Sequence, residues 1–137
     1  MTPNCLTRTA LACLALAAAA PAAQAEQGLD EAIKIEAGKA FFASECQRCH
    51  SIDADRQTYG PPLENIIGRP AGSVADYAYS PALAKAGFTW TEGALIAWME
   101  DNQAFVPGTR MRHVGITDPV VQAFIVAWLK DAARSAQ

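Results

Sequence analysis

The chain has 137 residues and a formal net charge of −3, and outside its N-terminus no apolar run reaches about 18 residues, which excludes a protein with several membrane spans. Its length is typical of one domain, and 8 prolines and 9 glycines are too few for a collagen-like or low-complexity chain. Acidic residues (14) outnumber basic ones (11), so we expect no nucleic-acid partner, which would require a phosphate-neutralising basic surface.

The first 25 residues have the pattern of a secretory signal peptide. Arg8 and the amino terminus supply positive charge, Ala10–Ala20 is apolar, and Ala23-Gln24-Ala25 is a small-x-small motif that predicts cleavage before Glu26. The apolar run is too short to cross about 30 Å of hydrocarbon as an anchor. A lipoprotein signal would need a Leu-led lipobox before Cys13, and the chain has Ala-Leu-Ala there.

Cleavage would define a signal peptide over 1–25 and a mature domain over 26–137. Removing 25 of the 137 residues leaves 112, and losing Arg8 leaves 10 basic against 14 acidic side chains, a net charge of −4. We therefore expect an exported protein of the bacterial periplasm, without stable insertion in a membrane.

The mature domain has apolar residues at helical spacing and no convincing strand alternation, so we predict an all-α fold. In the last helix, for example, Val121, Phe124, Ile125 and Trp128 recur at i, i+3, i+4 and i+7, which predicts a core-facing stripe. In chain order, we predict a helix over 30–44, a loop over 53–62, a short helix from Ser80-Pro81 to Gly87, a helix over 91–101, an irregular segment over 102–115, and a helix from Asp118-Pro119 onward.

The two cysteines of the mature domain, Cys46 and Cys49, are followed by His50 in a C-x-x-C-H pattern, which is typical of c-type haem attachment. Two thiols on one helical turn can each add to a haem vinyl group, and the histidine then lies under the iron. A disulfide would close a tiny loop and gain little stability. A thioredoxin-like pair would follow a strand, and a zinc site would need more ligands than His113 adds.

A second iron ligand has two candidates, Met111 and His113. Met111 lies between Arg110 and Arg112 in a loop, an unusual setting for a methionine that only fills a core. A thioether favours ferrous iron and raises the reduction potential. On residue type alone, the histidine is an equal candidate.

Over Glu36–Ala132 the chain resembles the class I c-type cytochromes, the family of mitochondrial and small soluble bacterial cytochrome c. The C-x-x-C-H motif occurs in many haem proteins, whereas the segments Gly87–Trp90 and Pro107–Met111 are more specific to this family. The matching motifs are Gly38 and Phe42 in the first helix, Cys46–His50, Tyr59–Leu63, Gly68-Arg69, Gly87–Trp90 and Pro107–Met111.

The resemblance implies roles for individual residues. Met111 would supply the axial sulfur, and the Pro61 carbonyl would accept the His50 ring N–H and so fix its tautomer. Trp98 replaces a tyrosine that usually hydrogen-bonds toward the sulfur, and an indole N–H is only a donor. The residues at propionate-contacting positions are Arg69, Tyr79 and Trp90.

Other departures concern the haem pocket and its exposed edge. Leu83 stands where an asparagine often holds a water, which implies a drier pocket, and His113 replaces an aromatic residue near the haem edge. Most of the lysines around that edge are missing, so the mitochondrial partners do not transfer directly. Glu45, Gln103 and Ala104 occupy some of those places, and the remaining basic patch would comprise Arg48, Arg110 and Arg112.

We therefore expect a cytochrome c fold, with helices and loops wrapped around one haem c attached through two thioethers, its iron held by His50 and Met111. The expected protein is a monomeric one-electron carrier and no enzyme. Its donor and acceptor would be membrane or soluble redox proteins, such as an oxidase, a quinol–cytochrome c reductase, a reaction centre or a dehydrogenase. Two alternatives are a peroxidase or gas-binding protein with a labile distal ligand, and a permanent dehydrogenase subunit, which would need a large apolar patch.

Overall fold

The computed structural model describes residues 20–135, with side chains from residue 30 onward. The chain divides into two units, Met1–Ala32 and Ile33–Gln137. Most of the predicted signal peptide, including its positive and apolar regions, lies outside the described residues. In the first unit the described part is helical.

The structure has four helices in its described part: α1 (Ala20–Glu45), α2 (Pro81–Ala84), α3 (Glu92–Phe105) and α4 (Pro119–Ser135). Residues 20–135 form no strand. Within them, Pro70 and Thr89 form an isolated antiparallel β-bridge. The predicted all-α fold is therefore confirmed. Within the same residues, no helix has the length and apolarity needed to cross a membrane.

Helix boundaries differ from the prediction in physically understandable ways. α1 begins ten residues before the predicted start at Asp30, because alanine, abundant in this stretch, has the highest helix propensity. α2 ends at Ala84, three residues before Gly87, whose φ is +70°. The glycine therefore serves the turn after the helix, where a positive φ is needed.

α3 continues past its predicted end at Asp101, with a break there. Asp101 has φ −153° and ψ 95°, and its Oδ1 accepts hydrogen bonds from Gln103 N and Ala104 N, both at 3.0 Å. The carboxylate thus caps the first turn of a second helical piece. The segment predicted as irregular from residue 102 is helical up to Phe105.

α4 begins as the sequence predicts. Asp118 Oδ1 accepts hydrogen bonds from Val120 N at 2.8 Å and Val121 N at 3.4 Å, with Pro119 as the first helical residue. An acceptor side chain and a proline at these two positions satisfy or remove the unpaired N–H groups of a helix start.

The buried face of α4 lies about one residue away from the predicted stripe. Ile125 and Trp128 are buried, while Val121 and Phe124 are half-buried. Gln122 is buried instead, because its Nε2 donates to the Ile116 carbonyl at 2.6 Å. A pattern of apolar residues cannot reveal a polar residue that is buried with a hydrogen-bond partner.

Contact between α1 and α4 closes the core. A Cβ on Gly38 would overlap the Phe124 carbonyl and lie 2.9 Å from Trp128 Cβ, so glycine permits the two helices to approach closely. Phe42 packs against Trp128 with ring centroids 4.5 Å apart. α3 packs against α4 as well. The last turns of α1 are therefore held against the C-terminal helix, and the C-x-x-C-H segment follows directly from them.

Candidate functional site

The C-x-x-C-H segment forms a tight turn directly after α1. Cys49 N and His50 N both donate to the Cys46 carbonyl, at 3.0 and 2.9 Å. Both cysteines are free, so no disulfide joins them. Burial raises the pKa of the Cys46 thiol to about 12, with further contributions from Glu45 and Cys49. Cys46 is therefore a protonated thiol at neutral pH.

His50 is buried, and one nitrogen of its ring is hydrogen-bonded to the backbone. Nδ1 lies 2.8 Å from the Pro61 carbonyl oxygen, and since a carbonyl only accepts, Nδ1 is the donor. This is the partner that the family resemblance implied. Burial lowers the pKa of His50; the bond to Pro61 opposes this shift, and the charge of His113 adds to it. The ring is consequently neutral near pH 7, with its Nε2 lone pair available to a metal.

The loop after His50 folds back on the turn and holds Pro61 in place. Gly60 N donates to the Cys49 carbonyl at 2.7 Å, and Leu63 N donates to the Ser51 carbonyl at 2.6 Å. A Cβ at Gly60 would overlap His50 Cε1 and lie 2.7 Å from its Nδ1. The sequence motif contains this glycine, but only the structure shows that it makes room for the imidazole.

Met111 is half-buried in the loop between α3 and α4. The indole Nε1–H of Trp98 donates to its Sδ at 3.1 Å. Trp98 is buried on α3, and its ring contacts that of Trp90 edge-on, with centroids 5.2 Å apart. A thioether sulfur has two lone pairs, so one remains for a metal while the indole holds the other.

The three residues expected near the propionates lie in linked segments. Trp90 N donates to the Arg69 carbonyl at 2.9 Å, and the Arg69 guanidinium donates to the carbonyls of Pro62 (2.7 Å) and Glu64 (2.9 Å). Burial lowers the pKa of Arg69 and raises that of Tyr79, and their mutual interaction opposes both shifts. The structure therefore brings Arg69, Tyr79 and Trp90 into one neighbourhood.

His113, the other candidate for the second ligand, is engaged with the backbone. Its Nε2 donates to the Met99 carbonyl at 3.0 Å. Its Nδ1 is buried and has no hydrogen-bond partner within the described part of the chain. The Met111 sulfur and the His113 ring are thus both tied to α3, one by a side chain and the other by a carbonyl.

Sequence reasoning missed two residues that contact the methionine segment. Asn102 Nδ2 donates to the Met111 carbonyl at 2.9 Å, and Gln103 Nε2 donates to it at 3.2 Å. No apolar periodicity or known motif indicates such contacts. Their only signal was the placement of two amides directly after Asp101, where the helix was predicted to end.

The donor set fits a covalently attached haem. It comprises two free thiols, a neutral buried imidazole with Nε2 available, and a thioether held by an indole N–H. Across the part of the chain that the structure describes, no three His, Cys, Asp or Glu side chains lie together to hold a metal ion. The zinc alternative would need such a group.

Comparison with known proteins gives consistent results. The sequence model described as Cytochrome c matches residues 35–133. The solved structure of cytochrome cH from Methylobacterium extorquens superimposes with a TM-score of 0.65 at 41% identity, covering 71% of this chain and 97% of that one.

Curated relatives give the same result. A cytochrome c homolog of Rickettsia conorii is 42% identical over 90 residues, covering 65% of this chain and 51% of the relative. Cytochrome c-550 of Nitrobacter winogradskyi is 45% identical over 83 residues, covering 60% and 75%. The chain therefore spans about half the length of the Rickettsia protein.

Proposed function

Because the chain belongs to the cytochrome c family, we propose that it carries single electrons between redox proteins of the bacterial periplasm, with His50 and Met111 as the two axial ligands of its haem iron. Covalently attached haem c is the cofactor of this family, and electron transport is its general function. When bound, haem iron alternates between ferric and ferrous states and so accepts and releases one electron.

The observation that carries the ligand proposal is the bond between His50 Nδ1 and the Pro61 carbonyl, 2.8 Å long. It fixes the tautomer with Nε2 free, on a buried neutral ring that directly follows Cys46 and Cys49. Such a bond also increases the basicity of the ligating nitrogen. We propose that the two cysteines form the thioethers to haem.

On the other side, Trp98 restrains the Met111 sulfur through its N–H. With His50 and Met111 both bound, the iron would have no site for a substrate, so the proposed protein is an electron carrier and no enzyme. The peroxidase or gas-binding alternative requires Met111 to leave the iron readily. Arg69, Tyr79 and Trp90 would stabilise the propionates by charge and hydrogen bonding.

The proposed location follows from the predicted signal peptide over 1–25, with residues 26–137 as a monomeric haem domain. Redox partners are expected for any carrier of this family. The proposed partners are membrane or soluble redox proteins of the classes named above: an oxidase, a quinol–cytochrome c reductase, a reaction centre or a dehydrogenase. A nucleic-acid partner does not fit the acidic composition of the chain.

The attachment proposal is tested by the intact mass of the protein exported from cells with haem-attachment machinery. We expect the mass of residues 26–137 plus one haem, and no thiol that reacts with an alkylating reagent. A protein of apo mass with a disulfide, still without haem under these conditions, would refute attachment at Cys46 and Cys49.

The axial-ligand proposal is tested by the matched variants Met111→Ala and His113→Ala in the holoprotein. Met111→Ala should abolish the iron–sulfur charge-transfer band, lower the reduction potential and admit cyanide to the iron. His113→Ala should keep the low-spin spectrum and the band. The opposite pattern would assign the ligand to His113, and ready peroxide binding by the unsubstituted protein would favour the open-site alternative.

A further inference from the structure

Two amide side chains on α3 bind the backbone of the residue that supplies the proposed sulfur ligand. Asn102 has 4% of its surface exposed, and its Nδ2 donates to the Met111 carbonyl at 2.9 Å. Gln103 Nε2 donates to the same carbonyl at 3.2 Å and to the Thr109 carbonyl at 3.1 Å. Two donors thus use both lone pairs of the Met111 carbonyl.

The break in α3 is what directs these amides at the loop. The extended backbone of Asp101 interrupts the helix, and its carboxylate caps the next turn through Gln103 N and Ala104 N. Backbone hydrogen bonds then join each turn of the chain to the next, up to Thr109. Val106 N donates to the Asn102 carbonyl at 3.0 Å, and Thr109 N donates to the Val106 carbonyl at 3.1 Å.

The far end of the loop is held separately. Ile116 N donates to the Met99 carbonyl at 2.8 Å, and this carbonyl also accepts from His113. Gln122 on α4 donates to the Ile116 carbonyl. The backbone of the loop is therefore held at the Met111 carbonyl by Asn102 and Gln103 and at Ile116, five residues further along the chain. Side chains of the loop add the bond from His113 to the Met99 carbonyl and one from the Arg110 guanidinium to the Tyr79 carbonyl at 2.6 Å.

We propose that Asn102 and Gln103 are positioning residues that keep Met111 on the iron, and we call this pair the amide clamp. A neutral thioether is a soft, uncharged ligand, and holding its backbone in place reduces the entropy lost when the sulfur binds. The clamp therefore sets how often the loop opens and how accessible the iron is to added ligands. This inference rests on the proposed assignment of Met111 as a ligand.

The test compares two substitutions of buried amides in the holoprotein. Asn102→Leu removes one of the two clamp donors and keeps the branched shape and heavy-atom count of the side chain, and Gln122→Leu removes the equally buried donor to Ile116. For each variant we would measure the free energy of unfolding, hydrogen exchange at the Thr109 and Ile116 amides, and the rate at which imidazole binds ferric iron.

Relative to the unsubstituted protein, we expect Asn102→Leu to speed both Thr109 exchange and imidazole binding about tenfold, which corresponds to about 1.4 kcal/mol for loop opening. Gln122→Leu should speed exchange at Ile116 and leave imidazole binding within about twofold. If Asn102 had only a structural role, Asn102→Leu and Gln122→Leu would change the rate of imidazole binding equally at equal loss of unfolding free energy. That result would overturn the clamp.

Gln103→Ala keeps the experiment decisive if Asn102→Leu does not fold, since Gln103 is only half-buried. It should speed Thr109 exchange about threefold and leave Ile116 unchanged, and equal exchange in variant and parent would overturn the clamp. The unsubstituted protein tests the proposed function separately. If it lacks the iron–sulfur band, the ligand assignment fails, while the exchange data still decide whether the clamp exists.

Discussion

Gly60→Ala should destabilise the holoprotein strongly, because the added methyl group has no space beside the proposed proximal ligand. A Cβ there would overlap His50 Cε1, lie 2.7 Å from Nδ1 and lie 2.9 Å from the Cys49 carbonyl, where ordinary contacts begin at 3.4 Å. Gly60 lacks the positive φ that would strain an alanine, so the expected effect comes from packing alone.

The magnitude follows from the displacement needed. To bring the distance from the new Cβ to Nδ1 from 2.7 to 3.4 Å, the imidazole must shift by about 0.7 Å. A shift of this size along the hydrogen bond to Pro61 would lengthen that bond from 2.8 Å to about 3.5 Å. Loss of a buried hydrogen bond costs about 1–3 kcal/mol, and overpacking a similar amount. We therefore expect a loss of about 2–6 kcal/mol, a large part of the stability of a typical domain.

The assay is guanidinium unfolding of the holoprotein, followed by haem absorbance and by far-UV circular dichroism. Gly93→Ala is the matched control, since Gly93 lies in α3 and a Cβ there would meet only Thr91 Oγ1 at 3.9 Å. It should stabilise the protein by up to about 1 kcal/mol, because alanine favours a helix more than glycine does. If Gly60→Ala loses less than about 0.5 kcal/mol, the reasoning about His50 is wrong.

Trp98→Phe should lower the reduction potential measured by voltammetry, because an N–H aimed at the Met111 sulfur disfavours the more positive ferric iron; an unchanged or higher potential would contradict this. Burial raises the pKa of Tyr79 above its ordinary value of 10.0. The stabilising contribution of the neutral phenol is therefore complete below pH 10 and is lost as pH rises through the folded-state pKa. Between about pH 9 and about pH 11, the free energy of unfolding should therefore fall less in Tyr79→Phe than in the unsubstituted protein. An equal fall in both proteins would contradict a contribution from Tyr79. With a predicted mature net charge of −4, electron-transfer rates with the native partner should change only modestly with salt. A steep fall on reaching physiological salt would instead indicate a concentrated charge patch, which charge reversal at Arg110 and Arg112 would locate.

Much of this protein could be predicted from local sequence. The helix starts at Ser80-Pro81 and Asp118-Pro119 were predictable because capping depends on residues within three positions of each other. The cofactor was equally accessible, since the spacing of Cys46, Cys49 and His50 is itself the chemical requirement for haem attachment. Fold class followed from helical spacing, and the family comparison confirms both fold and cofactor.

Other features could not be predicted from the apolar pattern or from a capping motif. The end of α3 was predicted at Asp101, where local pattern is ambiguous, because an aspartate can end one helix or cap the next. The burial of Gln122 depends on a carbonyl six residues away in another segment. A polar side chain is stable in a core only when its partner is present, and the identity of that partner is not encoded in spacing.

The sequence by itself determined the chemistry of the site: which side chains can attach a haem and which can ligate its iron, since these depend on functional groups and short spacings. Only the tertiary structure decided how those groups are held. The fixed tautomer of His50, the indole bond to the Met111 sulfur and the clamp by Asn102 and Gln103 join residues 8 to 13 positions apart. Their geometry arises from how the loops pack on α3 and on the turn after α1, and such packing is a property of the whole folded chain.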